Sequence, residues 1–299
     1  MKCNNSFFVN IVLLVKYALF ATSLSACARQ IQSQEAIQAL GDKGIVNGQR
    51  VTHITKLSAR VVHVLFFDPH TGKASGCTGS LLPNNIVLTA AHCLEVGQKF
   101  AIGFGTKFSD QDDWAEAYSN HPVIAVKYIP GFHSRDALFK ADNDLGLIKF
   151  KGKIPVGYEP FPEPTGTEIV DLKNVRTFHM IGYGQTSYFS KYDGTLRTTS
   201  LSASNINPNG ETVYPFSRFL ETALIVSQPT TGVCSGDSGS PLVAYVNDQP
   251  KLVGVATSAG NYANLQGEQC SGSATFIRID KHIHWLKRTY EILKSRSDD

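Results

Sequence analysis

Three short blocks hold residue types that together can do nucleophilic chemistry on an acyl group. They are Leu88-Thr89-Ala90-Ala91-His92-Cys93, Asp142-Asn143-Asp144-Leu145-Gly146-Leu147-Ile148 and Cys234-Ser235-Gly236-Asp237-Ser238-Gly239-Ser240-Pro241-Leu242. A serine hydroxyl becomes a nucleophile at neutral pH only beside a general base. That base needs a group to orient it, and the oxyanion that forms needs donors. His92 can be the base, an aspartate of the second block the orienting carboxylate, and Ser238 the nucleophile. Taken singly, each block has a plainer explanation: a core histidine, a loop-capping aspartate, a Gly-Ser turn. Their joint presence is what carries the reading. Asp142 and Asp144 are both candidates for the carboxylate, and an apolar run starts immediately after Asp144.

The three blocks, in the order His, Asp, Ser, closely resemble the active-site segments of the trypsin/chymotrypsin family, whereas subtilisins and α/β-hydrolases use other orders. The resemblance covers roughly residues 45–295. It implies a serine endopeptidase in which Ser238 attacks the scissile carbonyl, His92 relays the proton and Asp144 fixes the imidazole. It places the oxyanion hole at the backbone N–H groups of Gly236 and Ser238. It implies disulfides Cys77–Cys93, fastening the His92 turn, and Cys234–Cys270, tying the wall of the specificity pocket. Other bridges found in many relatives have no cysteines here.

The same resemblance puts Gly232 and Val233 at the base of that pocket and Ala259 and Ala274 on its walls. Thr257, Ser258 and Ala259 would line subsites along a strand that pairs with substrate backbone. Ser258 stands where the family usually has tryptophan. With no carboxylate at 232, small or medium apolar residues are expected before the cut. Glu268 is the one acid that a long loop could swing inward. Ile45-Val46-Asn47-Gly48 resembles the family's mature N-terminus, whose freed amine pairs with the carboxylate beside the catalytic serine, here Asp237. The departure is at the cut site, where Gly44 stands in place of the usual Arg or Lys and Lys43 lies one residue too early. Either an activating protease of different taste is a partner, or activation does not use this end at all. The rival class is a catalytically silent binding or adhesion protein on the same fold.

These residues must be positioned by a scaffold, and the chain from 45 onward reads as many short strands. Apolar runs at 61–67, 86–90, 123–128, 145–150, 178–181, 242–245 and 252–257 alternate with turn signals, an all-β pattern. The family implies two packed six-stranded antiparallel Greek-key barrels and a C-terminal helix. The Pro- and Gly-rich stretch 152–167 is the expected crossover between the halves. At the end, Asp280 is expected to cap a helix in which Ile283, Leu286, Tyr290 and Leu293 share a face. His282 and His284 within it point about 200° apart and cannot share a metal. The acidic segment 110–116 offers too few spaced oxygens for calcium and is expected to be a solvated loop. Neither a metal nor a cofactor is expected.

Residues 1–26 have the grammar of an export signal, with Lys2 ahead of apolar runs and small residues at the end. Leu24-Ser25-Ala26-Cys27 resembles a bacterial lipobox, in which Cys27 carries lipid. Ala26-Cys27-Ala28 also fits an ordinary signal cut after Ala28. With Cys3 lost with the leader and four cysteines paired, Cys27 is the odd one left, which favours lipid. Residues 27–44 then form a lipidated linker or pro-segment, and 45–299 the catalytic domain. An exported, membrane-anchored or secreted monomer acting on protein or peptide is expected. The net charge of +3 includes Lys2, Lys16, Arg29 and Lys43 against only Glu35 and Asp42 before residue 45, so the body is close to neutral and no nucleic-acid partner is indicated.

Overall fold

The computed structural model describes residues 45–68, 73–94, 99–108, 111–132, 143–164, 170–187, 189–207, 222–228, 230–260, 270 and 272–296. Cys27, Gly44, Asp142 and Glu268 lie outside them, as do both expected signal and linker segments.

Strands β1 (Gln49–Arg50) to β14 (Gly272–Arg278) form two curled antiparallel sheets. The first contains β2 (Val61–Asp68), β3 (Lys73–Leu82), β4 (Ile86–Thr89), β5 (Lys99–Gly103), β6 (Val123–Tyr128) and β7 (Gly146–Phe150), in the order β5-β2-β3-β4-β7-β6. A bridge between Ala101 and Pro122, with the Ile102 amide donating to the His121 carbonyl at 3.0 Å, draws its two edges together. The second sheet adds β8 (Thr177–Gly182), β9 (Arg197–Ser202), β10 (Ile206–Asn207), β11 (Ala223–Gln228), β12 (Pro241–Val246) and β13 (Gln249–Gly260). Its order is β1-β9-β8-β12-β13-β14-β11-β10, eight strands rather than six, because the two-residue strands β1 and β10 extend its edges. Of the expected crossover 152–167, residues 152–164 are described and 165–167 lie outside the described residues; the Phe161 amide donates to the Leu81 carbonyl of the first sheet at 2.8 Å.

Several strands lack an apolar run. β3 (Lys-Ala-Ser-Gly-Cys-Thr-Gly-Ser-Leu-Leu) and β9 (Arg-Thr-Thr-Ser-Leu-Ser) are rich in small and polar residues. Close packing explains β3: a Cβ at Gly79 would lie 2.9 Å from Val64 Cγ2. The tight β12–β13 hairpin turns on Asn247 and Asp248 at φ 50° and 60°, the left-handed pair that suits the twist of the flanking strands. Where the sheets meet, Leu88, Leu145, Leu147 and Phe161 from the first half pack with Ile181, Tyr183, Val243 and Val255 from the second.

Two α-helices lie among the described residues of the domain. The expected solvated loop is corrected to α1 (Gln111–Asn120). Its Trp114, Ala117 and Tyr118 fall at three- and four-residue spacing and pack on Leu65 and Ala101, and Trp114 lies 5.0 Å from Phe67. The C-terminal helix α2 (Ile283–Lys294) buries Leu286, Thr289, Tyr290 and Leu293. Asp280 does not cap it: its carboxylate pairs with Arg278 at 2.7 Å, and His282 occupies the cap position with Nδ1 against the Arg278 carbonyl.

Candidate active site

Strands β4 and β7 are neighbours, with Thr89 opposite Gly146, so the residues just beyond that end of the pair meet. His92 follows β4 on the short helical turn Ala91–Leu94, and Asp144 precedes β7. The Asp144 carboxylate, 2% exposed, accepts from the His92 amide at Oδ1 (2.9 Å) and from His92 Nδ1 at Oδ2 (2.7 Å). Thr257 Oγ1 also donates to Oδ2. A proton held at Nδ1 leaves Nε2 of the neutral ring as the acceptor, so the carboxylate selects the tautomer a general base needs. The imidazole is 29% exposed, open enough to meet a ligand.

Thr257, expected along the subsite strand, commits its side chain to Asp144. The cause is a bulge in β13: Ala256 faces Phe276 and Ser258 faces Thr275, leaving Thr257 as the unmatched residue. A bulge re-aims a side chain in this way.

Ser238 is held to the same wall. Its carbonyl accepts from the Thr78 amide at 2.8 Å, and Thr78 is next to Cys77, which is bridged to Cys93 beside His92. Closing that 16-residue separation contributes about 3 kcal/mol in the chain-entropy model. The sulfurs of Cys77 and Cys93 lie close to His92, but both are consumed in the bridge and offer no thiolate to a metal. Cys234–Cys270, the second expected disulfide, is also formed.

The turn before Ser238 is held from below. The Ser235 carbonyl accepts from the Gln185 amide at 2.8 Å, and the Gly236 carbonyl accepts from Thr78 Oγ1 at 3.1 Å. In a trans peptide the N–H points opposite to the C=O, so the Gly236 amide points away from Gln185. Gly236 sits at φ 93°, and a Cβ there would lie 2.7 Å from the Tyr192 ring, so only glycine fits. Tyr192 in turn hydrogen-bonds Nε2 of His63, a fully buried ring stacked 4.5 Å from Tyr183. Burial holds the His63 pKa down at about 3, so this support stays uncharged.

Asp237 is fully buried and accepts from the amides of Gly184 (2.8 Å) and Cys234 (2.9 Å). Burial raises its pKa to about 7, against the lowering effect of those two bonds and of the longer-range attraction of Arg197. Ile45 is also fully buried, and Val46 bridges Gly232, whose amide donates to the Val46 carbonyl at 3.2 Å. The Ile45 φ of 38° is a costly value for a β-branched residue.

At the predicted pocket, Ala259 pairs with Ala274 across β13 and β14, and Ala274 is fully buried. Val233 is buried, and Ser258 half-buried. Sequence reasoning missed Gln228, the last residue of β11. It is 2% exposed; its Oε1 accepts from the Val233 amide (3.0 Å), and its Nε2 donates to the carbonyls of Val233 (3.1 Å) and Cys270 (3.3 Å). It also missed Thr78, Tyr192 and His63, which hold the turn through contacts distant in sequence.

Comparison with known proteins agrees with this geometry. The trypsin family model matches residues 46–286. Chymotrypsin of Phaedon cochleariae is 26% identical over 92% of this chain and 96% of its own length. Chymotrypsin-like elastase family member 1 of Macaca fascicularis is 27% identical over 71% and 78%. Among solved structures, HL collagenase superposes with a TM-score of 0.62 at 20% identity, covering 82% of this chain and 98% of that one, a likeness of fold. The chain is a member of the trypsin family of serine proteases.

Proposed function

We propose that the protein is a serine endopeptidase that cleaves after small or medium apolar residues by an acyl-enzyme mechanism. The observation that carries this is the Asp144 carboxylate holding both the backbone and Nδ1 of His92, on the wall to which Ser238 is tethered. Ser238 Oγ adds to the scissile carbonyl as Nε2 of His92 takes its proton. The amides of Gly236 and Ser238 receive the oxyanion. His92 then protonates the leaving amine, and water repeats the sequence to free the acyl group. Cleavage of a random-peptide library by the purified protein, with Ser238→Ala as control, tests the assignment. No cleavage by the cut wild type would favour the silent binding protein.

Activation by cutting at Gly44–Ile45 is part of the proposal. The buried Ile45, its unfavourable φ and the unneutralised Asp237 all favour a free amine at this end. Once nothing precedes Ile45, the constraint on its φ is gone, and the amine can neutralise Asp237. Export and lipidation of Cys27 rest on the sequence, and the same cut would separate the domain from the lipid. Adding one residue before Ile45 in the cut enzyme should lower kcat/KM by at least about 100-fold, the scale set by loss of one oxyanion donor. Full activity of the uncut, membrane-bound form would refute the scheme.

The uncut chain should also show the burden of Asp237 in its stability. Its folded pKa lies above the ordinary 3.8, so the folded state holds the proton more tightly than the unfolded state does. Stability is therefore lost as pH rises from about 4 to about 7, by on the order of 4 kcal/mol. Urea unfolding of uncut Ser238→Ala, with and without Asp237→Asn, should show the asparagine variant gaining relative stability at pH 8 over pH 4.5. A difference independent of pH would contradict this account.

A further inference from the structure

Beside Gly232, the expected base of the specificity slot, the space is filled by a side chain from β11. A Cβ placed on Gly232 would overlap Oε1 and Cδ of Gln228 and lie 2.5 Å from its Cβ. The volume that a side chain at 232 would fill is thus already occupied by the Gln228 carboxamide. That group cannot easily withdraw, since its three bonds tie it to both backbone groups of Val233 and to the carbonyl of Cys270. Strand pairing delivers it there: Gln228 lies opposite Gly272 on β14, and Val226 on the same strand lies opposite Ala274.

We propose that Gln228 is the specificity-determining residue at the floor of this slot, replacing the side chain that position 232 lacks. The inference rests on the reading of the protein as a serine endopeptidase with Gly232 at the base of its slot. The chemistry follows from the bonding. Both amide protons of Gln228 are engaged, so the floor has no donor for a ligand, and it carries no charge to meet a cation. A lysine or arginine side chain entering the slot would be buried without a counter-charge. The carboxamide also shortens the slot from below, while Ala259 and Ala274 narrow it from the sides. The residue accepted before the cut is then uncharged and short, such as Ala or Val.

Four forms of the cut enzyme test this: wild type, Gln228→Ala, Gly232→Asp and the double variant. Each is titrated with a fluorophosphonate at Ser238 and assayed for kcat/KM on peptides that differ only in having Val, Leu, Phe or Arg before the cut. Wild type should prefer Val, and Gln228→Ala should raise Leu and Phe relative to Val by about 10-fold. Gly232→Asp alone should label poorly, because Gln228 fills its space. The double variant should recover labelling and raise the Arg-to-Val ratio by at least about 100-fold. An unchanged profile in a labelling Gln228→Ala overturns the proposal and leaves the enzyme assignment standing. So does a double variant that labels no better than Gly232→Asp, or a single Gly232→Asp that takes Arg as well as the double does. A wild type that neither labels nor cleaves any peptide would instead sink the endopeptidase reading, and the pocket with it.

Discussion

Ser238→Ala is expected to lower kcat by about 10⁶-fold, to the level that binding and oxyanion donors alone sustain. The loss is large because removing the nucleophile idles the whole relay: His92, although correctly oriented by Asp144, has no hydroxyl to deprotonate. The fold should be untouched. Ser238 is tied to the protein through its carbonyl, which accepts from Thr78, and alanine keeps that bond. Turnover on the best library peptide, fluorophosphonate labelling and the melting temperature should be measured together. An unchanged melting temperature with both activities lost is the expected pattern. Turnover within a factor of ten of wild type would remove Ser238 from the mechanism.

The second large effect belongs to Asp144→Asn, expected to lower kcat by about 10⁴-fold at neutral pH. The carboxylate now accepts from three donors: the His92 amide, His92 Nδ1 and the Thr257 hydroxyl. An asparagine oxygen can still take the His92 amide, but its NH₂ then faces Nδ1. The ring must place its proton on Nε2 to accept there, and the atom that should receive the serine proton is already occupied. Because this is a fault of tautomer and not of fold, the melting temperature should change far less than the rate. A variant retaining a tenth of wild-type kcat would show that Asp144 does not orient His92 catalytically.

The three blocks around His92, Asp144 and Ser238 stand out in the sequence because each is local. His92 and Asp144 are short steps beyond strands whose apolar runs stand out, and Ser238 lies in a glycine-flanked turn. The pairing of the cysteines followed from the family resemblance, and both bridges are formed. What escaped depends on contacts between segments far apart in the chain. Gln228 looks like the polar end of an apolar run, and only the pairing of β11 with β14 brings it beneath Gly232. The bond from Thr257 to Asp144 was not legible, because it depends on a one-residue bulge that leaves Thr257 unmatched in β13. Helix α1 was hidden by its acids. Its mean character is polar, and what fixes it as a helix is three side chains seated on the first sheet. Asp280 had the right type and position for a helix cap, but Arg278 offered the carboxylate two hydrogen bonds.

The bridge from Val46 to Gly232 joins the segment that begins at Ile45 to the residue that, on the proposed reading, lies at the base of the slot. Binding free energies at two such sites are reciprocal: whatever one does to the affinity of the other is returned in equal measure. If cutting at Gly44–Ile45 makes the segment dock more firmly, as proposed, and that docking tightens the slot for its ligand, then a ligand in the slot must equally tighten the docking of a segment not yet cut. A small apolar inhibitor given to the uncut chain would then act as a partial substitute for proteolysis, drawing the population toward the docked form by no more than its own difference in affinity for the two states.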